Sequence, residues 1–216
     1  MSVAHLLTAI LLALASNLDN VGVGVACGMR RVRVPFGSNL LIAAITATGT
    51  LASVVFGSTV GNFLRHGLAS ILAGAVLIGM GAWVVVRETR ALYQNSHHAP
   101  DQAPSSPSDT GYLSQVHSIR INPLSADSDR SGQIDFREAT LLGLALTPNN
   151  LVNGAAAGMM NLSVAVLVLL VFLFSVVTIW AGIEVGQLCG KRWLGSIAGV
   201  ASGALLIFVG TCEMVI

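Results

Sequence analysis

LLALASNLDNVGVGVACGM, residues 11–29, aligns without a gap on LLGLALTPNNLVNGAAAGM, residues 141–159. The identical positions are Leu11, Leu12, Leu14, Ala15, Asn20, Gly24, Ala26, Gly28 and Met29. Two further matches follow in the same order. Gly57, Val60 and Gly61 correspond to Gly182, Val185 and Gly186 at a slightly different offset. GAVLIGMG (74–81) corresponds to GALLIFVG (203–210). Chance similarity between helices rich in Ala, Gly and Leu does not explain three ordered matches. The chain therefore reads as two copies of one unit.

Composition says what the unit is made of. The chain of 216 residues is 54% hydrophobic and 10% charged, with mean hydropathy +0.76. A soluble domain carries roughly 25% charged residues. So little polar surface points to helices in a lipid bilayer, each needing about 20 apolar residues. Six segments qualify, near 4–28, 36–61, 66–87, 138–160, 162–187 and 193–215. The amino-terminal apolar run has no basic flank and continues past Ser16, so it reads as a retained span rather than a cleaved signal. Three spans per copy is an odd number. The second copy must then enter the membrane from the opposite side, as in inverted-repeat transporters with a midplane site. The expected fold is an all-α membrane protein of six transmembrane helices in two inverted three-helix repeats, 1–87 and 138–216. A flexible linker over 88–126 and an acidic loop over 127–138 separate them. Within the linker, His97 and His98 read as solvated residues.

Charge sets the orientation. With the N-terminus outside, ten of the eleven Lys and Arg residues fall on the inner side, and Arg65 alone falls outside. Positive charge accumulates on cytoplasmic loops. Both termini are expected outside a multi-pass cell membrane, with the central loop in the cytoplasm. A net charge of +1 argues against nucleic acid as a partner. Cys27, Cys189 and Cys212 are scattered and read as packing residues rather than a disulfide framework or metal set. No nucleophile–base set stands out, so an enzyme is not expected. Homo-oligomerisation is left open.

The first span carries SNLDN (16–20) about halfway along. A carboxylate at that depth costs about 2.5–3.5 kcal/mol on insertion scales and marks a functional candidate. At helical spacing Ser16, Asp19, Asn20 and Gly24 share or border one face. The matching segment, TPNNLVN (147–153), adds Thr147, Asn149, Asn150 and Asn153. Pro148 lacks an amide hydrogen, which frees the Leu144 carbonyl. Two readings stand for these residues. Amides and hydroxyls often act as helix–helix glue, at about 0.6 kcal/mol each. Asp19 opposite a proline-interrupted polar motif favours a cation pathway. Glu184 is the second candidate acid. The oxygens are hard ligands, suited to Mg²⁺, Ca²⁺ or Mn²⁺. Thr46, Thr48 and Thr50 form a polar stripe that self-bonding hydroxyls explain as well.

DSDRSGQIDFRE (127–138) follows calcium-loop spacing. Asp127, Asp129, Ser131, the Gln133 carbonyl, Asp135 and Glu138 occupy ligand positions 1, 3, 5, 7, 9 and 12. Gly132 sits at the turn and Ile134 at the apolar position 8. Asp135 and Glu138 also match a helix-capping pair. Capping leaves Asp127, Asp129 and Gly132 unexplained, which favours a bound Ca²⁺, or Mn²⁺ in its place.

The three-plus-three spans, SNLDNVGVG and its echo resemble the MntP family of manganese efflux pumps. The likeness is closer to its YtaF-type members, known as sporulation membrane proteins. These carry a similar acidic loop followed by a segment like EATLLGLAL, 138–146 here. The resemblance covers nearly the whole chain apart from the linker. It implies functional aspartates in the first and fourth spans; Asp19 matches one, and Asn149 stands at the other. It implies export of a divalent cation, Mn²⁺ in that family. With no nucleotide-binding motif in the sequence, proton antiport through Asp19 or Glu184, with access alternating between the repeats, is the expected driving force. A non-transporting membrane protein with a metal-sensing loop and an exporter of small organic solutes are the alternatives.

The orientation has a direct test, with the three native cysteines replaced by alanine. Ile216→Cys is expected to react with an impermeant thiol reagent added outside intact cells, and Ser105→Cys is expected to stay unlabelled. The opposite pattern inverts the topology.

Overall fold

A computed structural model describes residues 3–64, 66–97, 115–116, 119, 126–129, 131–160, 162–189 and 193–215. They form six helices: α1 (Val3–Met29), α2 (Phe36–Phe63), α3 (His66–His97), α4 (Phe136–Met159), α5 (Val164–Cys189) and α6 (Trp193–Val215). The all-helical expectation is met. Among the described residues, α1, α2, α3 and α5 contain segments long and apolar enough to cross a membrane. α6 adds a shorter apolar segment, Ile197–Cys212.

The polar residues of α4 lower its hydropathy, and the bundle explains how they are tolerated. Asn149, Asn150 and Asn153 are buried, whereas Leu144 and Leu151 are exposed. The helix points its amides inward and its leucines outward, the arrangement hydrocarbon surroundings demand.

The halves interleave. The principal pairings are α1 with α5, α2 with α4, and α3 with α6. Each joins a helix of one copy to a helix of the other. Glycines allow these pairs to approach backbone to backbone. A side chain at Gly57 would strike the Ala155 carbonyl, and one at Gly158 the Val54 carbonyl. Gly24 meets Gly182 in the same manner across α1 and α5. Without lipid-excluding force between apolar helices, such close packing is what drives association. Along α3 and α6, Gly74 lies against Gly210 and Gly81 against Gly203, so these two helices run antiparallel. Gly57 beside Ala155 and Gly61 beside Met159 make α2 and α4 parallel.

Two apolar clusters flank the bundle centre. Leu12, Ala156, Leu167 and Leu206 belong to one, with Met159 and Met160 as packing residues. Val23, Cys27, Ile42, Leu142 and Ile179 belong to the other, which Ile134 of the acidic loop completes.

One boundary differs from expectation. α3 continues to His97 instead of ending near 87. The segment ETRALYQ holds good helix formers and no breaker before Pro100, so the helix has no cause to stop at a membrane edge. The stretch expected as a linker over 88–126 thus begins inside a helix. His98 and most of that stretch lie outside the described residues.

Replacing Gly158 by leucine is expected to force α2 and α4 apart, costing about 1–3 kcal/mol or more. Gly79 has open space around it; Gly79→Ala is expected to be neutral or stabilising, by up to about 1 kcal/mol. Thermal unfolding of the two purified variants checks the contrast.

Candidate functional site

The polar centre is built where α1 and α4 cross. Asn149 Nδ2 donates to Asp19 Oδ2 at 3.2 Å and to the Ser16 carbonyl at 3.5 Å. Asn153 Nδ2 donates to Ser16 Oγ at 2.8 Å. One turn away, Asn20 Nδ2 donates to Asn17 Oδ1 at 3.0 Å and to Ser175 Oγ of α5 at 3.2 Å. Ser53 Oγ of α2 reaches the Asn150 carbonyl at 3.5 Å. Ser16, Asp19, Asn20, Asn149, Asn150 and Asn153, singled out from the sequence, thus lie along one belt joining the two copies.

Donors and acceptors are unequally used in this belt. The amide nitrogens of Asn20, Asn149 and Asn153 are all engaged. Oδ1 of Asp19, Asn20, Asn149, Asn150 and Asn153 is buried with no hydrogen-bond partner, as is Nδ2 of Asn150. Buried polar atoms are nearly always satisfied. Five orphaned oxygens against one orphaned donor make a surplus of lone pairs, which a cation would accept.

Two candidates are not brought to this centre. Thr147 Oγ1 donates to the carbonyl of Gly143, one turn back at 2.8 Å, and its methyl lies beside Gly49 of α2. Glu184 is exposed, so the expectation of a second buried acid in α5 is not met. The threonine stripe of α2 is self-satisfied: Thr46, Thr48 and Thr50 donate to the carbonyls of Ala43, Ala44 and Thr46. Asn17, Asn39, Ser53 and Ser175 were not singled out in the sequence. Asn39 Nδ2 donates to the Val176 carbonyl at 3.0 Å, leaving its Oδ1 without a partner. A signal for Ser175 existed. The offset that pairs Gly57 with Gly182 also pairs Thr50 with Ser175 and Ser53 with Thr178.

The acidic loop is a separate site at the start of α4. Carboxylate oxygens of Asp127, Asp129 and Glu138 lie within 4.8 Å of one another. Glu138 is buried. Its Oε1 accepts from the Ser128 amide at 2.8 Å and hydroxyl at 3.0 Å, and its Oε2 from the Asp135 amide at 3.2 Å. The last bond caps α4, so Glu138 serves helix and loop together. Asp127 Oδ2 accepts from the Gly132 amide at 3.2 Å, while its Oδ1 is buried without a partner. The Ser131 amide donates to Asp129 Oδ1 at 2.9 Å and holds that exposed carboxyl below its usual range. Ser131 Oγ lies 2.9 Å from the Gln133 carbonyl. Gly132 has φ +76°, a conformation side chains resist. Asp135 is exposed at the helix N-cap.

The loop is fastened to the other copy. The Arg33 amide donates to the Gly132 carbonyl at 2.8 Å, and the Ile134 amide to the Arg33 carbonyl at 2.9 Å. Ser38 Oγ donates to the Ile134 carbonyl at 2.7 Å. The start of α4 is therefore hydrogen-bonded to the corner between α1 and α2.

Comparison with known proteins places the chain. No family model matches it, and no solved structure matches. Among curated proteins, the probable sporulation protein YtaF of Bacillus subtilis (strain 168) is 32% identical over 217 residues, covering 97% of this chain and 100% of that protein. An identity at this level, running through both copies and the loop between them, leaves one assignment: the chain belongs to the YtaF family of membrane proteins.

Proposed function

We propose that the chain exports a divalent metal cation, Mn²⁺ by its likeness to the MntP pumps, through the belt between α1 and α4. The observation that carries the reading is the surplus of buried, unpartnered oxygens, five against the single unengaged amide nitrogen of Asn150. An organic solute or an anion would require free donors, whereas a hard cation requires oxygens. The antiparallel glycine seam of α3 and α6 supports an inverted repeat, in which access alternates as one set of helices rocks against the other. In the proposed orientation both termini are outside, and the belt lies between an outer and an inner apolar cluster.

Moving a divalent ion outward against 100 mV, inside negative, costs about 4.6 kcal/mol, at roughly 2.3 per charge. No nucleotide-binding motif is present in the sequence to supply it. Asp19 is the proposed coupling group: it releases a proton as the cation arrives and regains one after the cation leaves. Asn20, Asn149, Asn150 and Asn153 replace hydration oxygens, and Asn149 also orients the Asp19 carboxylate.

The acidic loop is proposed as a cytoplasmic Ca²⁺ or Mn²⁺ site through Asp127, Asp129, Ser131, the Gln133 carbonyl, Asp135 and Glu138. The orphaned, buried Asp127 Oδ1 and the close carboxylates support it. Its attachment to Arg33 and Ser38 favours a signal or clamp over cargo. A second reading, a non-transporting protein in which this loop senses metal, is favoured by the neutral Asn149 opposite Asp19.

Asp19→Asn preserves shape and hydrogen bonding but not the titratable charge. The variant is expected to insert normally, fail to protect Mn²⁺-stressed cells and lose metal–proton exchange in vesicles. Export at the wild-type rate would reduce Asp19 to helix glue. For the loop, calorimetry on the purified full chain is expected to show saturable Ca²⁺ or Mn²⁺ heat, weakened most by Glu138→Gln because position 12 normally supplies two oxygens. No metal-dependent heat would leave Glu138 as a helix cap.

A further inference from the structure

We infer that the central belt binds a single monovalent hard cation, Na⁺, with Asp19 as its one counter-charge, in competition with the divalent cargo. The inference rests on the transport reading above and deepens it by naming an exchange partner.

Charge is the first argument. Among the described residues, Asp19 is the one carboxylate in the belt. Glu184 is exposed, and Glu138 belongs to the acidic loop. Glu88 stands beside Arg87, with Nε and Oε1 3.8 Å apart. Position 149, the repeat's counterpart of Asp19, holds a neutral amide. With Asp19 ionised the belt carries one negative charge. A monovalent ion brings it to zero; a divalent ion leaves it at plus one. Uncompensated charge is what a low-dielectric interior penalises most.

Coordination is the second argument. Asn20, Asn150 and Asn153 are 0%, 1% and 1% exposed, and each has an Oδ1 without a donor. Neutral carbonyl oxygens replace the water shell of monovalent ions in membrane sites. Divalent sites collect several carboxylates, often one of them bidentate. Asn149 prevents that here, because its Nδ2 already occupies Asp19 Oδ2. One charged oxygen, Oδ1, is left buried without a partner, as are the neutral oxygens of Asn20, Asn150 and Asn153.

Na⁺ and a proton are then alternative neutralisers of the same carboxylate. The carrier loaded with either crosses the membrane without net charge. The carrier loaded with the divalent cargo moves one positive charge, so export is electrogenic and the return step is not.

The test uses the full-length chain in lipid nanodiscs, at constant ionic strength with N-methylglucamine chloride as the replacement salt. Scintillation-proximity binding of ²²Na⁺ is expected to be saturable at one ion per chain and displaced by Mn²⁺. Asp19→Asn is expected to weaken it at least tenfold. Asn149→Asp, which adds the second acid, is expected to shift the Mn²⁺-over-Na⁺ preference at least tenfold toward Mn²⁺. Saturable ⁵⁴Mn²⁺ binding that Asp19→Asn abolishes but Na⁺ does not displace would overturn this inference and leave the exporter reading standing; ⁵⁴Mn²⁺ binding that survives Asp19→Asn is assigned to the acidic loop. Asp19-dependent binding of neither ion would overturn both. The competition is measured on the wild-type chain, so a misfolded variant cannot mask the outcome. Undiminished ²²Na⁺ binding by a folded Asp19→Asn protein would also overturn it.

Discussion

A carboxylate and its amide neighbours sit inside an apolar bundle because α1 and α4 meet there and nowhere else of consequence. Asn149 reaches Asp19, and Asn153 reaches Ser16. Together with Asn20 on Ser175 and Ser53 on the Asn150 carbonyl, those bonds link the two copies at the bundle centre. Everything around them serves to keep lipid away. The glycine seams bring α1 onto α5 and α2 onto α4 closely enough to enclose the belt. Apolar clusters close it at both ends. Loosening either seam would expose orphaned oxygens to hydrocarbon, where each costs several kcal/mol.

The acidic loop belongs to the same economy of shared parts. Glu138 caps α4 and closes the loop with one carboxylate. Ile134 joins the loop backbone to Arg33 and fills the apolar cluster around Ile42 and Leu142. The helix carrying Asn149, Asn150 and Asn153 is thereby held at its origin by contacts made with the α1–α2 corner. Loop and belt lie on one continuous helix, α4 (Phe136–Met159).

Much of this was legible in the sequence because hydrophobic length and repetition are robust signals. The helices and the positions of Asp19, Asn20, Asn149, Asn150 and Asn153 within them follow from these signals. What the sequence concealed was rotational phase. α5 is mostly apolar around its circumference, so its own periodicity does not say which way Ser175 or Glu184 points, and only the repeat offset singles out Ser175; Ser175 proves buried and Glu184 exposed. Thr147 misled for a related reason. Its hydroxyl bonds within its own helix, a choice composition does not reveal. The overrun of α3 has another cause: a membrane boundary ends a hydrophobic run, but only a breaker ends a helix.

The interleaving of the copies has a consequence for synthesis. α1 is complete at Met29, yet its principal partner α5 starts at Val164. At roughly 5–20 residues per second, α1 waits about 7–27 s for that partner. Asp19 spends most of the interval without Asn149, which is made some 130 residues later. A nascent first half therefore carries an uncovered acid, and its residence in the membrane depends on the insertion machinery until the second half arrives. Neither half owns a complete interior, so a chain stopped after α3 would present quality-control proteases with an open seam of glycines rather than a smaller folded protein.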